Sequence, residues 1–268
     1  MHNRKFIVLT ITIPLLVTTL ESCSNQKSAS NIRETADEVS GQVKPGKERP
    51  EEVLEIGPLY RAKRYESVEE AVQSKDTVYK LVLHSHRLGA ISPDIGKLIY
   101  LNSLDLAYND LKELPEELVN LKYLQGFYIN GNNISGIPDY VYDFKYLYRF
   151  DASENQVTEI SPEINNLKDL TVLNLGTNGL SSIPIEIYNL TNLVTLLLNH
   201  NQLNELPEGI SNLTQLTRLR IEHNNLTYLP PDLGRMYHLE ELWLQGNPIP
   251  DEDIIQLKEQ LPATKIRF

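Results

Sequence analysis

The sequence predicts an α/β solenoid: short parallel strands stacked side by side, each returning through a helical or extended segment. Three observations predict it. A 23-residue period runs in eight units beginning at Val78, Leu101, Leu124, Leu147, Leu170, Leu193, Leu216 and Leu239. Within each unit, positions 4 and 6 are apolar (Leu104 and Leu106, Leu173 and Leu175, Leu242 and Leu244 among them) and flank a variable position 5. Position 9 is asparagine in seven units: Asn109, Asn132, Asn155, Asn178, Asn201, Asn224 and Asn247.

Alternation at positions 4 to 6 is the signature of a strand with one buried face, which leaves position 5 on the open side. An asparagine just after the strand can satisfy turn backbone that stacking would otherwise bury unpaired. Leu or Ile at positions 11, 14 and 18 fills the coil. Pro115, Pro138, Pro184, Pro207 and Pro230 stiffen the return, and the proline slips by one place in Ser92-Pro93 and Ser161-Pro162. His86 stands at position 9 of the first unit, beside a cap. A stack of repeats exposes apolar flanks unless its ends are covered. "YESVEEAVQSKD" supplies an N-terminal cap in which Ser67 and Glu70 form a capping box. "PDEDIIQLKEQLP" predicts a C-terminal helix with Ile254, Ile255, Leu257 and Leu261 facing inward, and "KIRF" a last short strand.

These units resemble the leucine-rich-repeat pattern L-x-x-L-x-L-x-x-N-x-L. "LKELPEELVNLKY" and "LNELPEGISNLTQ" resemble its 23-residue L-x-x-L-P-x-x-I-x-x-L subclass, which includes many bacterial surface lipoproteins. The resemblance implies a horseshoe with parallel strands on the concave face, helical caps at both ends and a role in protein–protein interaction.

The start of the chain is of another kind. His2, Asn3, Arg4 and Lys5 precede an apolar run from Phe6 to Leu20, interrupted by Pro14 and too short for an ordinary membrane span. The run ends in Leu20-Glu21-Ser22-Cys23, which resembles a bacterial lipobox; Glu21 stands where a small or hydroxyl residue is usual. That likeness implies that Cys23 is lipidated and that the protein is anchored in a bacterial cell envelope, at the outer membrane or cell surface. The organisation expected is a signal peptide over 1–22, a disordered tether over 23–50, a cap region over 51–77, eight repeats over 78–249 and a C-terminal cap over 250–268. The tether is rich in Ser, Lys, Glu and Asn and too poor in apolar residues to offset its chain entropy.

Charge and motifs narrow the function. A net charge of -11 with scattered Lys and Arg argues against nucleic-acid partners. The single cysteine permits no disulfide framework and no thiolate zinc site. No phosphate loop, nucleophile elbow or H-E-x-x-H occurs, and no cofactor is expected. One constellation could carry chemistry. His200 and His223 hold position 8 of neighbouring units, about 5 Å apart if the strands stack in register, with Glu222 beside them. They could bind zinc or act as acid and base, or be solvated edge residues.

The variable positions of the open face are the better place to look. Exposed Tyr, Trp and Arg most often anchor interfaces. They gather as Tyr108, Tyr128, Tyr148 and Arg149 in the first half, and as Leu197, Arg218, Arg220 and Trp243 in the second. The expected ligand is a protein. A glycan stacked on the same rings is the alternative, and Trp243 has a further reading as a residue packed on the C-terminal cap. Tyr140, Tyr142 and Tyr146 are expected to be partial covers of the convex side.

Overall fold

In the computed structural model, residues 52–268 are described; the lipobox, Cys23 and the tether lie outside them. Among the described residues, ten strands form one parallel sheet in chain order. They are β1 Arg64–Tyr65, β2 Lys80–Val82, β3 Ser103–Asp105, β4 Gly126–Tyr128, β5 Arg149–Asp151, β6 Val172–Asn174, β7 Thr195–Leu197, β8 Arg218–Arg220, β9 Glu241–Trp243 and β10 Lys265–Arg267. Pairing follows the period: Leu104 faces Phe127, which faces Phe150, which faces Leu173. A constant 23-residue step is what puts identical positions opposite one another, so like side chains stack in columns.

Ahead of β2 lie α1 Ile56–Arg61 and α2 Val68–Gln73, with β1 between them. Ser67 Oγ accepts the Glu70 N–H at 3.0 Å, which starts α2 as the capping box predicts. Neither α1 nor β1 carries a pattern strong enough to announce it. At the other end α3 Asp251–Gln260 packs on the last coil and β10 pairs with β9. Ile254, Leu257 and Leu261 are buried there, but Ile255 is 59% exposed, contrary to expectation. One residue along an α-helix is a rotation of about 100°, so Ile255 cannot share the buried stripe of its neighbours.

The returns are short 3₁₀ helices such as Glu116–Asn120, Asp139–Asp143 and Ile185–Asn189. Proline usually occupies the residue just before them. The two slipped prolines obey a local rule: in Pro93–Lys97 and Pro162–Asn166 proline is the first helical residue, and Ser92 or Ser161 becomes the N-cap, accepting from Asp94 N–H or Glu163 N–H. Serine there supplies the acceptor that proline cannot.

The asparagines do more than close their own turns. Asn178 Nδ2 donates to the carbonyls of Leu175 and Gly176 in its own repeat and to Ala152 in the preceding one. Its Oδ1 accepts Val157 N–H, also of the preceding repeat. Each asparagine therefore staples its repeat to the one before. This explains His86, because the first repeat has no predecessor to staple. The first repeat is itself stapled by Asn109 of the second, whose Oδ1 accepts the N–H groups of His86 and Leu88.

The core is a continuous column of buried Leu, Ile, Val and Phe between sheet and returns. Phe127 stacks on Phe150 at 5.7 Å and meets Phe144 edge-on. Tyr142 belongs to this core rather than to its cover: it is fully buried, and its hydroxyl accepts Ser161 N–H at 3.3 Å. Tyr140 is a partial cover, its hydroxyl donating to the Pro115 carbonyl.

Candidate binding surface

Strand residues at positions 3 and 5 point away from the core, with positions 7 and 8 continuing the same face into the turn. The face is more closed than alternation alone suggests. Arg149 is 7% exposed and Leu197 3%, and Asp105, Asp151 and Asn174 at position 5 are buried as well. Strands less than 5 Å apart crowd their side chains into ladders, so long neighbours cover short ones. Tyr108, Tyr128, Tyr148, Arg218, Arg220 and Trp243 remain partly open.

In the first half, Tyr108 organises a polar cluster. Its hydroxyl donates to Glu154 Oε1 at 3.3 Å, two repeats on. Gly131 between them makes this reach possible, since a Cβ there would lie 2.5 Å from Tyr108 Cδ1. Burial, and then Glu154, push the Tyr108 hydroxyl up to about 12. His84 meets the Tyr108 ring edge-on at 5.2 Å, with its Nδ1 3.7 Å from Asp105. Tyr128 lies back over Gly126, where an added Cβ would be 3.2 Å from its ring. Asp151 accepts from Ser153 Oγ at 2.7 Å and from Asn174 Nδ2 at 3.1 Å, while burial drives its carboxyl above the usual range.

The second half is held by cations. Arg218 Nε bonds Glu241 at 3.0 Å, and Lys265 shares that carboxylate at 3.8 Å. Arg220 binds the buried carboxylate of Glu222 through Nε at 2.9 Å and also through its terminal nitrogen. The Arg220 guanidinium lies 3.9 Å from the Trp243 ring centre, and that of Arg267 lies 4.1 Å from it. Because β9 runs between β8 and β10, the two arginines approach the indole from opposite neighbours. Trp243 thus does meet the C-terminal cap, through Arg267, while staying partly open.

His200 and His223 stack with ring centres 4.3 Å apart and planes within 15°. Burial and then His223 lower the His200 pKa below its ordinary 6.5. Parallel rings in contact cannot both aim in-plane lone pairs at one zinc ion about 2.0–2.1 Å from each nitrogen. Glu222 points to Arg220 instead of to them. Among the described residues, no group of three or more His, Cys, Asp and Glu is placed to hold a metal.

The turns share a backbone feature that the repeat pattern does not announce. Position 8 has left-handed backbone in every repeat: Ser85, Tyr108, Gly131, Glu154, Thr177, His200, His223 and Gly246 have φ between +53° and +71°. The two glycines were the available signal, since they suit a positive φ that other residues adopt at a cost. Tyr108, Glu154, His200 and His223 all accept that strain on the edge of the open face.

Known proteins share this architecture. Residues 76–134 match the leucine-rich-repeat family and residues 161–261 match a leucine-rich-repeat region. This is a leucine-rich-repeat solenoid. A leucine-rich-repeat protein of Leptospira interrogans is 33% identical, with a TM-score of 0.66 over 68% of this chain and 46% of its own. The ectodomain of the Arabidopsis thaliana receptor kinase GASSHO1, solved in complex with Casparian strip integrity factor 2, is 27% identical (TM-score 0.63, covering 73% of this chain and 25% of its own). The plant peptide hormone receptor RGFR1, in complex with RGF2, is 29% identical (TM-score 0.58, covering 71% and 31%). The chain thus spans less than half the length of each of these three. None of the curated proteins compared matches it.

Proposed function

We propose that the chain is a membrane-tethered, non-catalytic binding module that grips a protein ligand on the open strand face. The observation that carries this reading is the fixed geometry of Arg220 and Trp243. Salt bridge, cation–π contact and buried carboxylate hold both in place before any partner arrives, so little ordering entropy is left to lose on binding. Arg and Trp are also the residue types that dominate interface energies. Two plant receptors of the same fold were solved with their factors bound, which favours a polypeptide ligand here too. A glycan needs an open aromatic face to stack on, and Trp243 is flanked by arginines. A metal or acid–base role for His200, His223 and Glu222 is disfavoured by the parallel rings and the Arg220–Glu222 pair.

The tether reading rests on Cys23 and the lipobox-like Leu20–Cys23 stretch in front of it; the bacterial cell envelope is the location that goes with such an anchor. Replacing Cys23 with Ser should move the protein from the membrane fraction to the soluble fraction. A wild-type protein that is already soluble, with no lipid on its mature N-terminus, would refute the anchor. Saturable capture of an envelope protein, with no signal on a glycan array, is the result expected for the ligand. The reverse pattern would replace protein by glycan.

A further inference from the structure

Residues 52–54 are bonded to side chains 48 to 71 positions further along the chain. Leu54 N–H donates to Asn102 Oδ1 at 2.7 Å, and Asn102 Nδ2 donates to the Glu52 carbonyl at 2.9 Å. Gln125 Nε2 donates to the Leu54 carbonyl at 2.7 Å and to Asn102 Oδ1 at 2.9 Å. Asn102 and Gln125 are fully buried, and the Val53 side chain is buried with them. Both amides occupy position 2, of the second and third repeats. Elsewhere position 2 holds Tyr79, Tyr148, Thr171, Val194, Thr217 and Glu240, so the amide pair is no part of the repeat skeleton.

The path of the chain gives this strap its meaning. After Leu54 the chain turns back to build α1, β1 and α2, and only then enters the first repeat at β2. The strap therefore closes a loop around the whole N-terminal cap and the first repeat. A solenoid stabilised only by contacts between neighbours opens most easily from an end. Tension on the N-terminal extension would otherwise peel β1 from β2 and then unzip repeat after repeat.

We propose that the Asn102–Gln125 clamp is a mechanical attachment point. It passes force from the N-terminal extension directly into the second and third repeats, bypassing residues 55–101. It rests on the tether reading only for the source of the force; the mechanics hold for any pull on the N-terminus.

Single-molecule force spectroscopy on the full chain, made without lipid, tests this. Cys23, the single cysteine, lies on the N-terminal side of the strap and accepts a thiol handle. A second geometry uses Cys23→Ser with Lys75→Cys, an exposed site inside the loop, so that the pull bypasses the clamp. The first rupture should need more force through Cys23 than through residue 75. Asn102→Ala with Gln125→Ala should lower the Cys23 value to the residue-75 value and leave the latter unchanged. Leu54→Pro, which removes the donor N–H without touching any repeat, should do the same if the double variant folds poorly. Equal rupture forces in the two wild-type geometries, or an equal drop in both on mutation, would overturn the proposal, whether or not Cys23 proves to be lipidated.

Discussion

Thr177 is a β-branched residue held at φ +56°, in the left-handed column that every repeat shares at position 8. That backbone costs an L-residue about 1–2 kcal/mol, part of which glycine recovers at the expense of a floppier unfolded chain. Its side chain is exposed. Thr177→Gly should therefore stabilise the protein by about 0.5–1 kcal/mol, read as a shift in the denaturant midpoint. Destabilisation would mean that the Thr177 side chain holds something the geometry does not reveal. His200 gives a second residue-scale expectation. Burial lowers its pKa, as does its stacked neighbour His223; Glu222 opposes the shift and Arg220 reinforces it. The fold thus favours neutral imidazole, and the unfolded chain binds more protons between the lowered value and 6.5. Stability from this source is complete above pH 6.5 and falls as the pH drops through 6.5 towards the folded value. Between about pH 7.5 and pH 5, His200→Gln should lose less stability than the wild type. Parallel stability profiles would contradict it.

At the scale of elements, the asparagine ladder converts a sequence column into cooperativity. Asn178 makes three donor contacts and one acceptor contact across two repeats. Asn178→Ala should leave turn groups of both repeats unpaired and cost about 1–3 kcal/mol. An unchanged denaturation midpoint would count against the stapling role. The strands were legible because a fixed period fixes register: Lys80 had to face Ser103 and Val172 had to face Thr195. The returns were less so. Leucine spacing says that these segments are buried on one side, but not that they wind as 3₁₀ helices, and Tyr142, one of several tyrosines in an aromatic run, gave no sign that it alone enters the core. β1 has two residues, too few for any alternation to register.

For the molecule as a whole, the repeat pattern told which side of the sheet each residue takes, and much less about how open it is. Arg149 and Leu197 face outward, yet neighbours in the adjoining repeats cover them, a property of three-dimensional ladders rather than of any one strand. Contacts such as Tyr108 with Glu154, or Arg267 with Trp243, join residues 46 and 24 positions apart that no local motif links. What survives from sequence to structure is the division of labour: a repeated skeleton inside and a changing surface on the strand face. The central claim is that this face grips the partner, and the direct measurement is the affinity of a captured partner for single-site variants. Arg220→Ala, Trp243→Ala and Tyr128→Ala should each weaken binding by about 2–4 kcal/mol, roughly 30- to 1,000-fold, with the fold intact by circular dichroism. Lys168→Ala, on the exposed return side, should leave affinity unchanged. Loss of binding with Lys168→Ala while the three strand-face variants bind normally would contradict the account.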